Sequence, residues 1–281
     1  MLIHNESMSK HCSLRAGGQA KDFFTPNTLD ELSEFLKNNH KPVLMLGLGS
    51  NLLVRDQGFD GVVIKLKHLD ALNVSDNSIY AEAGATLAKI SRFCESQGLH
   101  GAEFLSAIPG GVGGALAMNA GAFGSEIWQF VDSVTTINTA GVISKRNTTD
   151  FKITYRQVTA NNKNEYFIAA NFIFNQIDKQ QNIRALLKKR NASQPIGQAN
   201  CGSVFKNPAN HHAAQLIEDC ELKGVCIGGA CVSDKHANFI INDGSATSAD
   251  ILNLIGVIQD QVKEKYGVDL IEEIIVIGGK A

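Results

Sequence analysis

The sequence predicts an α+β fold built from more than one compact unit, and three observations carry that expectation. Strand-like and helix-like stretches follow one another without strict β–α alternation. The 281 residues are too many for one minimal core. Residues 175–200 turn polar, dominated by Gln, Asn, Lys and Arg, and read as a crossing between domains.

The elements can be justified in order. Residues 28–38 predict a helix: Thr28 and Glu31 have capping-box spacing, and Leu29, Leu32, Phe35 and Leu36 repeat at helical intervals. Val43–Leu46 and Val62–Leu66 are short apolar runs that suit buried strands. Thr86–Gln97 predicts a second helix, with Leu87, Ile90, Phe93 and Cys94 on one face and Gly98 at its stop. Val131–Asn138 and Val142–Arg146 flank Thr139-Ala140-Gly141 as a hairpin, and Tyr166–Phe174 is a further strand. Ile183, Leu186 and Leu187 mark a short amphipathic helix, and another is expected near 212–220. A strand at 237–242 follows, then a long helix at 249–266 closed by Gly267, and a terminal strand at Glu273–Ile277.

Composition excludes several function classes. Hydrophobic residues are 44% and charged residues 19%, an ordinary globular balance. A net charge of −2 offers no basic field for nucleic acid or an anionic membrane. An anionic ligand must therefore be held by loop amides or single cations. No run approaches the ~18 apolar residues of a membrane span, and the polar Met1–Lys10 has no signal-peptide core. A cytoplasmic location is expected, with all six cysteines as reduced thiols. Cys220, Cys226, Cys231 and His236 cluster in sequence, but their spacings match no zinc pattern, so no metal site is expected.

Two glycine-rich loops carry the first functional signal. Gly47-Leu48-Gly49-Ser50-Asn51 follows an apolar strand, and glycine lets backbone amides approach a phosphate while Ser50 and Asn51 add donors. Leu52-Leu53-Val54 continues as strand, so this is neither the dinucleotide fingerprint of a βαβ unit nor an ATP-binding loop. A tight turn is the competing reading. The second loop, Ser106-Ala107-Ile108-Pro109-Gly110-Gly111-Val112-Gly113-Gly114-Ala115, runs into Met118-Asn119-Ala120-Gly121-Ala122. So many small residues suit a backbone laid flat against a planar or pyrophosphate ligand, with a packed surface loop as the alternative. Together the loops favour a long dinucleotide held by amides.

These loops resemble the FAD-binding half of the UDP-N-acetylenolpyruvoylglucosamine reductase (UDP-N-acetylmuramate dehydrogenase) family. Ser13-Leu14-Arg15-Ala16-Gly17-Gly18 is similar to the family's opening motif, Tyr155-Arg156 to its Tyr-Arg pair, and Gly202-Ser203-Val204-Phe205-Lys206-Asn207-Pro208 to its most diagnostic heptad. Gly228-Gly229-Ala230 and Lys235-His236-Ala237-Asn238-Phe239-Ile240 resemble a later block, so the likeness spans nearly the whole chain in order. It implies a two-part FAD-binding region of the vanillyl-alcohol-oxidase (PCMH) type plus a C-terminal α+β substrate domain. The expected boundaries are 1–70 for the first subdomain, with a return strand in 267–281, 71–178 for the second, and 179–266 for the substrate domain. The short span from Arg156 to Pro195 resembles the family type that lacks an extra tyrosine-bearing loop.

The implied reaction uses NADPH and bound FAD to reduce a UDP-sugar enolpyruvate, with a monomer as the expected state. By resemblance, Arg156 polarises the enolpyruvyl carboxylate, a task that suits a permanently charged, two-pronged guanidinium. Ser203 is the implied proton donor and needs neighbours that stabilise its oxyanion; Lys206 is the candidate. Glu273 matches the catalytic carboxylate, with Glu272 as the fallback because the local sequence departs from the family pattern. Tyr155, Lys206 and Asn207 are the implied substrate contacts, although Tyr155 equally suits a core position. The implied cofactor contacts are Gly47, Gly49, Ser50, Asn51, Ser106, Pro109, Gly110, Gly113, Gly114, Asn119 and Gly121. Gln194-Pro195 resembles a segment near the substrate diphosphate. His236 reads as a buried, satisfied histidine, and Cys201 as reactive towards thiol reagents if exposed. An FAD-dependent oxidase of the same fold, acting on a small alcohol or hydroxy acid, is the alternative function.

Overall fold

A computed structural model describes residues 1–160, 164–174 and 182–279. Part of the expected crossing, 175–181, and the end of the return segment, 280–281, lie outside the described residues. So does part of the span on which the shorter-type reading rests. The chain divides into two compact units. One comprises Met1–Leu2, Phe23–Leu48 and Val62–Arg190, and the other Ile3–Asp22, Gly49–Gly61 and Asn191–Ala281.

In the first unit, helix α1 (Leu29–Lys37) starts where Thr28 Oγ1 accepts the Glu31 amide. Only half of the expected capping box forms, because the Glu31 carboxylate takes the Asn27 amide instead. Leu32 and Leu36 of α1 are buried with Val62, Ile64 and Ile168. Strand Val43–Leu46 pairs in parallel with Phe59–Lys65, Val43 beside Val62 through Leu46 beside Lys65. Helices α2 (Leu87–Ser96) and α3 (Val112–Ala117) share a core with a five-stranded antiparallel sheet. Its order is Ile143–Asn147, Val131–Asn138, Glu165–Ile173, Ser78–Glu82, Leu72–Ser75. The predicted hairpin is its edge: Asn138 Oδ1 accepts the amides of Ala140 and Val142, and Gly141 takes φ +76. Alternating burial along Ser78–Glu82 follows the period-two rule for a sheet with one covered face. The last segment of the unit runs to Arg190, within helix α4 (Ile183–Ser193).

In the second unit, helices α5 (Ala213–Asp219) and α6 (Ser248–Tyr266) pack with a three-stranded antiparallel sheet of Cys226–Ile227, Ala230–Val232 and Ile240–Asn242. Helix α6 has a full Thr247/Asp250 capping box and ends at Gly267 with φ +68. The Asp56 carboxylate accepts the Ser248 and Ala249 amides, at 3.0 Å each, satisfying donors that a helix start leaves open. The terminal strand Ile275–Ile277 runs parallel to Leu52–Val54.

Three expectations need correction. The strand expected at 237–242 is only Ile240–Asn242, because His236–Phe239 forms a turn closed by Phe239 N–H to the His236 carbonyl. The terminal strand is shorter than 273–277 because the Glu273 and Ile274 amides both turn to the Val204 carbonyl. The cysteines are not all reduced thiols: Cys226 and Cys231 face each other across the antiparallel pair and form a disulfide. Direct opposition on paired strands brings two thiols within bonding reach, which linear spacing does not reveal.

Candidate functional site

In the first unit Gly47, which opens the first glycine-rich loop, approaches the second. A Cβ on Gly47 would lie 3.9 Å from the Gly111 amide nitrogen and meet nothing closer. The second loop is pinned along the end of a strand by Val112 N–H to the Ala85 carbonyl and Gly113 N–H to the Ala83 carbonyl, both 3.0 Å. A Cβ on Gly111 would stand 2.8 Å from the Ala83 carbonyl oxygen, and one on Gly113 3.2 Å from that of Phe167. Gly111 is therefore required by protein packing and Gly113 is tightly packed, which favours the packed-loop alternative at those two positions. Gly114 is different: nothing lies within 4 Å of its Cβ position. Open space at Gly47 and Gly114 leaves a bare backbone cradle that fits a flat, pyrophosphate-bearing cofactor. Ser106 Oγ donates to the Glu103 carbonyl and its neighbour Pro109 is exposed. Gly110 takes φ +153 at the turn.

Beyond the loop, Arg156 occupies the two-residue turn between Phe151–Thr154 and Gln157–Ala160, with φ +54. Such a backbone is uncommon for a side-chain-bearing residue and marks a position held by its surroundings. The Arg156 guanidinium donates to the Asn119 carbonyl at 3.1 Å and the Gly121 carbonyl at 2.8 Å. It lies 3.7 Å from Glu126 Oε1 and stacks 4.9 Å from the Tyr155 ring centre. Its side chain is only 15% exposed. Asn119, 1% exposed, donates to Glu126 Oε2 and to the Thr154 carbonyl, and its Oδ1 accepts the Trp128 amide. Tyr155 is 47% exposed, which removes the core reading for that residue.

In the second unit the Gly202–Asn207 segment is clamped by Asn238. Phe205 donates its amide to Asn238 Oδ1 at 2.9 Å, and Asn238 Nδ2 donates back to the Phe205 carbonyl at 2.8 Å. The Val204 amide reaches the Asn238 carbonyl. Val204 and Phe205 are fully buried, and burial of the Phe205 ring contributes about 2–3 kcal/mol. Ser203 is left half-buried between this anchor and Gly202, whose φ is +79. Among the described residues, neither the Ser203 hydroxyl nor the Lys206 ammonium makes a hydrogen bond or ion pair. Asn207 is exposed, and its Oδ1 accepts the Ala213 amide at the start of α5.

The Glu273 amide donates to the Val204 carbonyl at 2.7 Å, and its own carbonyl accepts Asn51 Nδ2 at 2.9 Å. Glu272 pairs with Phe205. Cys201 is buried, and its thiol is pushed up to about 12, chiefly by desolvation and also by the nearby Glu273 carboxylate. Burial makes Cys201 an inert thiol rather than a reagent-accessible one. Gly49, at φ +70, is packed against the His11 carbonyl, which a Cβ would strike at 2.0 Å. Ser50 is half-buried beside it. His236 accepts the Asn238 amide on Nδ1 and packs edge-on to Phe239, and burial holds its pKa below the ordinary histidine value.

A family model described as the C-terminal domain of UDP-N-acetylenolpyruvoylglucosamine reductase matches residues 194–277, and an FAD-binding domain model matches 21–145. A UDP-N-acetylenolpyruvoylglucosamine reductase from Coxiella burnetii (strain Dugway 5J108-111) is 46% identical over 303 residues, covering 99% of this chain and 96% of its own. The chain belongs to the UDP-N-acetylenolpyruvoylglucosamine reductase family. A second relative of that name, from Alkalilimnicola ehrlichii, is 47% identical over 283 residues, with 99% of this chain and 95% of its own covered. The crystal structure of the Thermus caldophilus reductase superposes with a TM-score of 0.81 at 27% identity, covering 98% of each chain. The α+β architecture with an FAD-binding region, expected from the sequence, is that of the family.

Two residues at the centre of this geometry were missed as site residues. Glu126 sits seven positions after Asn119 with no periodic pattern to flag it. Asn238 lay inside a quoted motif but carried no assigned role.

Proposed function

We infer that this chain is an FAD-containing, NADPH-dependent oxidoreductase that reduces UDP-N-acetylglucosamine enolpyruvate to UDP-N-acetylmuramate for peptidoglycan precursor synthesis. The observation that carries the reading is the family's C-terminal domain match over 194–277 together with an FAD-binding domain match over 21–145. Bound FAD supplies hydride transfer between the nicotinamide and the enolpyruvyl carbon, chemistry that no side chain offers. Everything else falls to this chain's own residues.

The Gly47 and Gly110–Gly114 backbone holds the cofactor, with Gly49, Ser50, Asn51, Ser106, Pro109, Asn119 and Gly121 shaping or lining the loops. Arg156 grips the enolpyruvyl carboxylate and stabilises the charge that builds beside it during addition. Ser203 delivers the proton from its Oγ, which no described residue engages. Lys206 offsets the resulting negative charge, and Glu273 supplies the catalytic carboxylate, with Glu272 as the fallback. Tyr155 and Asn207 contact the substrate from exposed positions. The protein works as a cytoplasmic monomer. No helix among the described residues is long and apolar enough to cross a membrane.

Ser203→Ala tests the assignment. The variant should bind FAD and accept electrons from NADPH, yet reduce the enolpyruvyl substrate about 10²–10⁴-fold more slowly. Turnover equal to that of the parent would remove Ser203 from the chemistry.

A further inference from the structure

We propose that Glu126 is a positioning residue for the reduction, holding the Arg156 guanidinium at the orientation needed to meet the substrate carboxylate. The proposal rests on the charge-stabilising role given to Arg156 above and adds a residue to which no part was assigned.

Glu126 is placed by local geometry. Gly121–Ala122 and Ser125–Glu126 form a minimal hairpin around Phe123-Gly124, which have φ +54 and +86. Two positive φ values in a two-residue loop are the signature of a tight turn that sets register. That register puts Glu126 directly opposite Gly121. Gly121 must remain glycine, because a Cβ there would lie 2.5 Å from the Ser125 carbonyl oxygen and 2.9 Å from Glu126 Cγ.

The Glu126 carboxylate then serves two partners. One oxygen accepts Asn119 Nδ2 at 2.7 Å and the other stands 3.7 Å from Arg156 Nη1, while the Glu126 backbone amide donates to Gln129 Oε1 at 3.2 Å. Asn119 closes the loop, because its carbonyl accepts Arg156 Nη1 and its amide reaches the Thr154 carbonyl just before the Arg156 turn. Glu126, Asn119 and Arg156 thus form one closed ring. A flexible arginine in such a ring keeps one orientation, and a preorganised cation stabilises developing charge far better than one that must reorganise. An ordinary surface ion pair explains this poorly, because Asn119 is buried and the guanidinium is largely covered.

The test is a double-mutant cycle on Glu126→Ala, Glu126→Gln, Arg156→Lys and the two combinations. The readout is the single-turnover rate at which NADPH-reduced enzyme is reoxidised by the enolpyruvyl substrate, with FAD content and Tm measured alongside. Arg156→Lys should slow this step about 10²–10³-fold. Glu126→Ala should slow it about 100-fold through misplacement of the guanidinium. Glu126→Gln, which still accepts the Asn119 amide but lacks the charge, should be slower than the parent by only about three- to tenfold. In the Arg156→Lys background either Glu126 change should cost less than about threefold more, because coupled residues are not additive. A rate within about threefold of the parent for both Glu126 variants, with Arg156→Lys slow, would overturn the proposal. Fully multiplicative effects would also overturn it. If Glu126→Ala fails to fold, the Glu126→Gln arm decides alone. An Arg156→Lys enzyme as fast as the parent would instead refute the role of Arg156 itself, and the proposal would fall with it.

Discussion

Asn238→Ala offers the sharpest test of how the Ser203 segment is held. The Asn238 side chain satisfies both backbone groups of Phe205, at 2.9 and 2.8 Å, and the residue is 4% exposed. Truncation orphans one buried N–H and one buried C=O. Each such group costs about 1–3 kcal/mol, and water entering the vacated space limits the sum to about 3 kcal/mol. For a chain of this size that corresponds to a Tm lower by about 6–12 °C. Asn238→Asp separates the two bonds. Its carboxylate still accepts the Phe205 amide but faces the Phe205 carbonyl with no proton to donate. Burial and that carbonyl raise its folded-state pKa above the ordinary aspartate value. The neutral acid restores the second bond, so the stability it contributes is present at low pH and lost as pH rises through the raised pKa. Thermal denaturation of the three proteins from pH 4 to pH 8, each variant compared with the parent at the same pH, checks this. A Tm for Asn238→Ala within 2 °C of the parent, or an Asn238→Asp deficit that does not shrink on acidification, would refute the reasoning.

The glycines should separate by role. Gly49→Ala should destabilise strongly, because it combines φ +70 with a 2.0 Å approach to the His11 carbonyl. Gly114→Ala, on α3 with open space around it, should leave apoprotein stability equal or higher while FAD affinity falls, as read by Tm and flavin titration. Thiol titration of the unfolded chain without reductant should find the four free cysteines Cys12, Cys94, Cys201 and Cys220, and six after reduction. In the native state Cys201 should resist labelling near neutral pH, since its thiol is pushed up to about 12.

Much of the fold was legible because it rests on local signals. Leu29–Lys37, Leu87–Ser96 and Ser248–Tyr266 announce themselves by helical spacing, and the first two also by Thr28 and Thr86 at their starts, whereas the Thr247 cap of the last went unread. Strands Val43–Leu46 and Val131–Asn138 are long enough apolar or alternating runs to be read directly. What stayed hidden depends on contacts far apart in sequence. The Phe151–Thr154 and Gln157–Ala160 hairpin that carries Arg156 turns at Tyr155-Arg156, with neither glycine nor asparagine to signal it. Glu273 leaves the terminal strand because of Val204, 69 positions away by residue number. The Cys226–Cys231 pairing needs a strand register. The glycine-rich segment read as a loop is one only over residues 108–111, because Val112–Ala117 is helical, and only coordinates separate Gly111 and Gly113, closely packed on protein, from Gly47 and Gly114, which line open space. For Arg156, Ser203 and Glu273 it was family motifs, not local pattern, that drew attention, since a turn arginine, a serine beside glycine and a strand-end glutamate are ordinary residues in isolation.

The most direct measurement is the visible spectrum of the purified protein under anaerobic conditions. The flavin band should be present, bleach on addition of NADPH, and return when UDP-N-acetylglucosamine enolpyruvate is added without oxygen. A preparation that takes up no FAD, or one whose NADPH-bleached band is restored by oxygen but not by the enolpyruvyl substrate, would contradict the account.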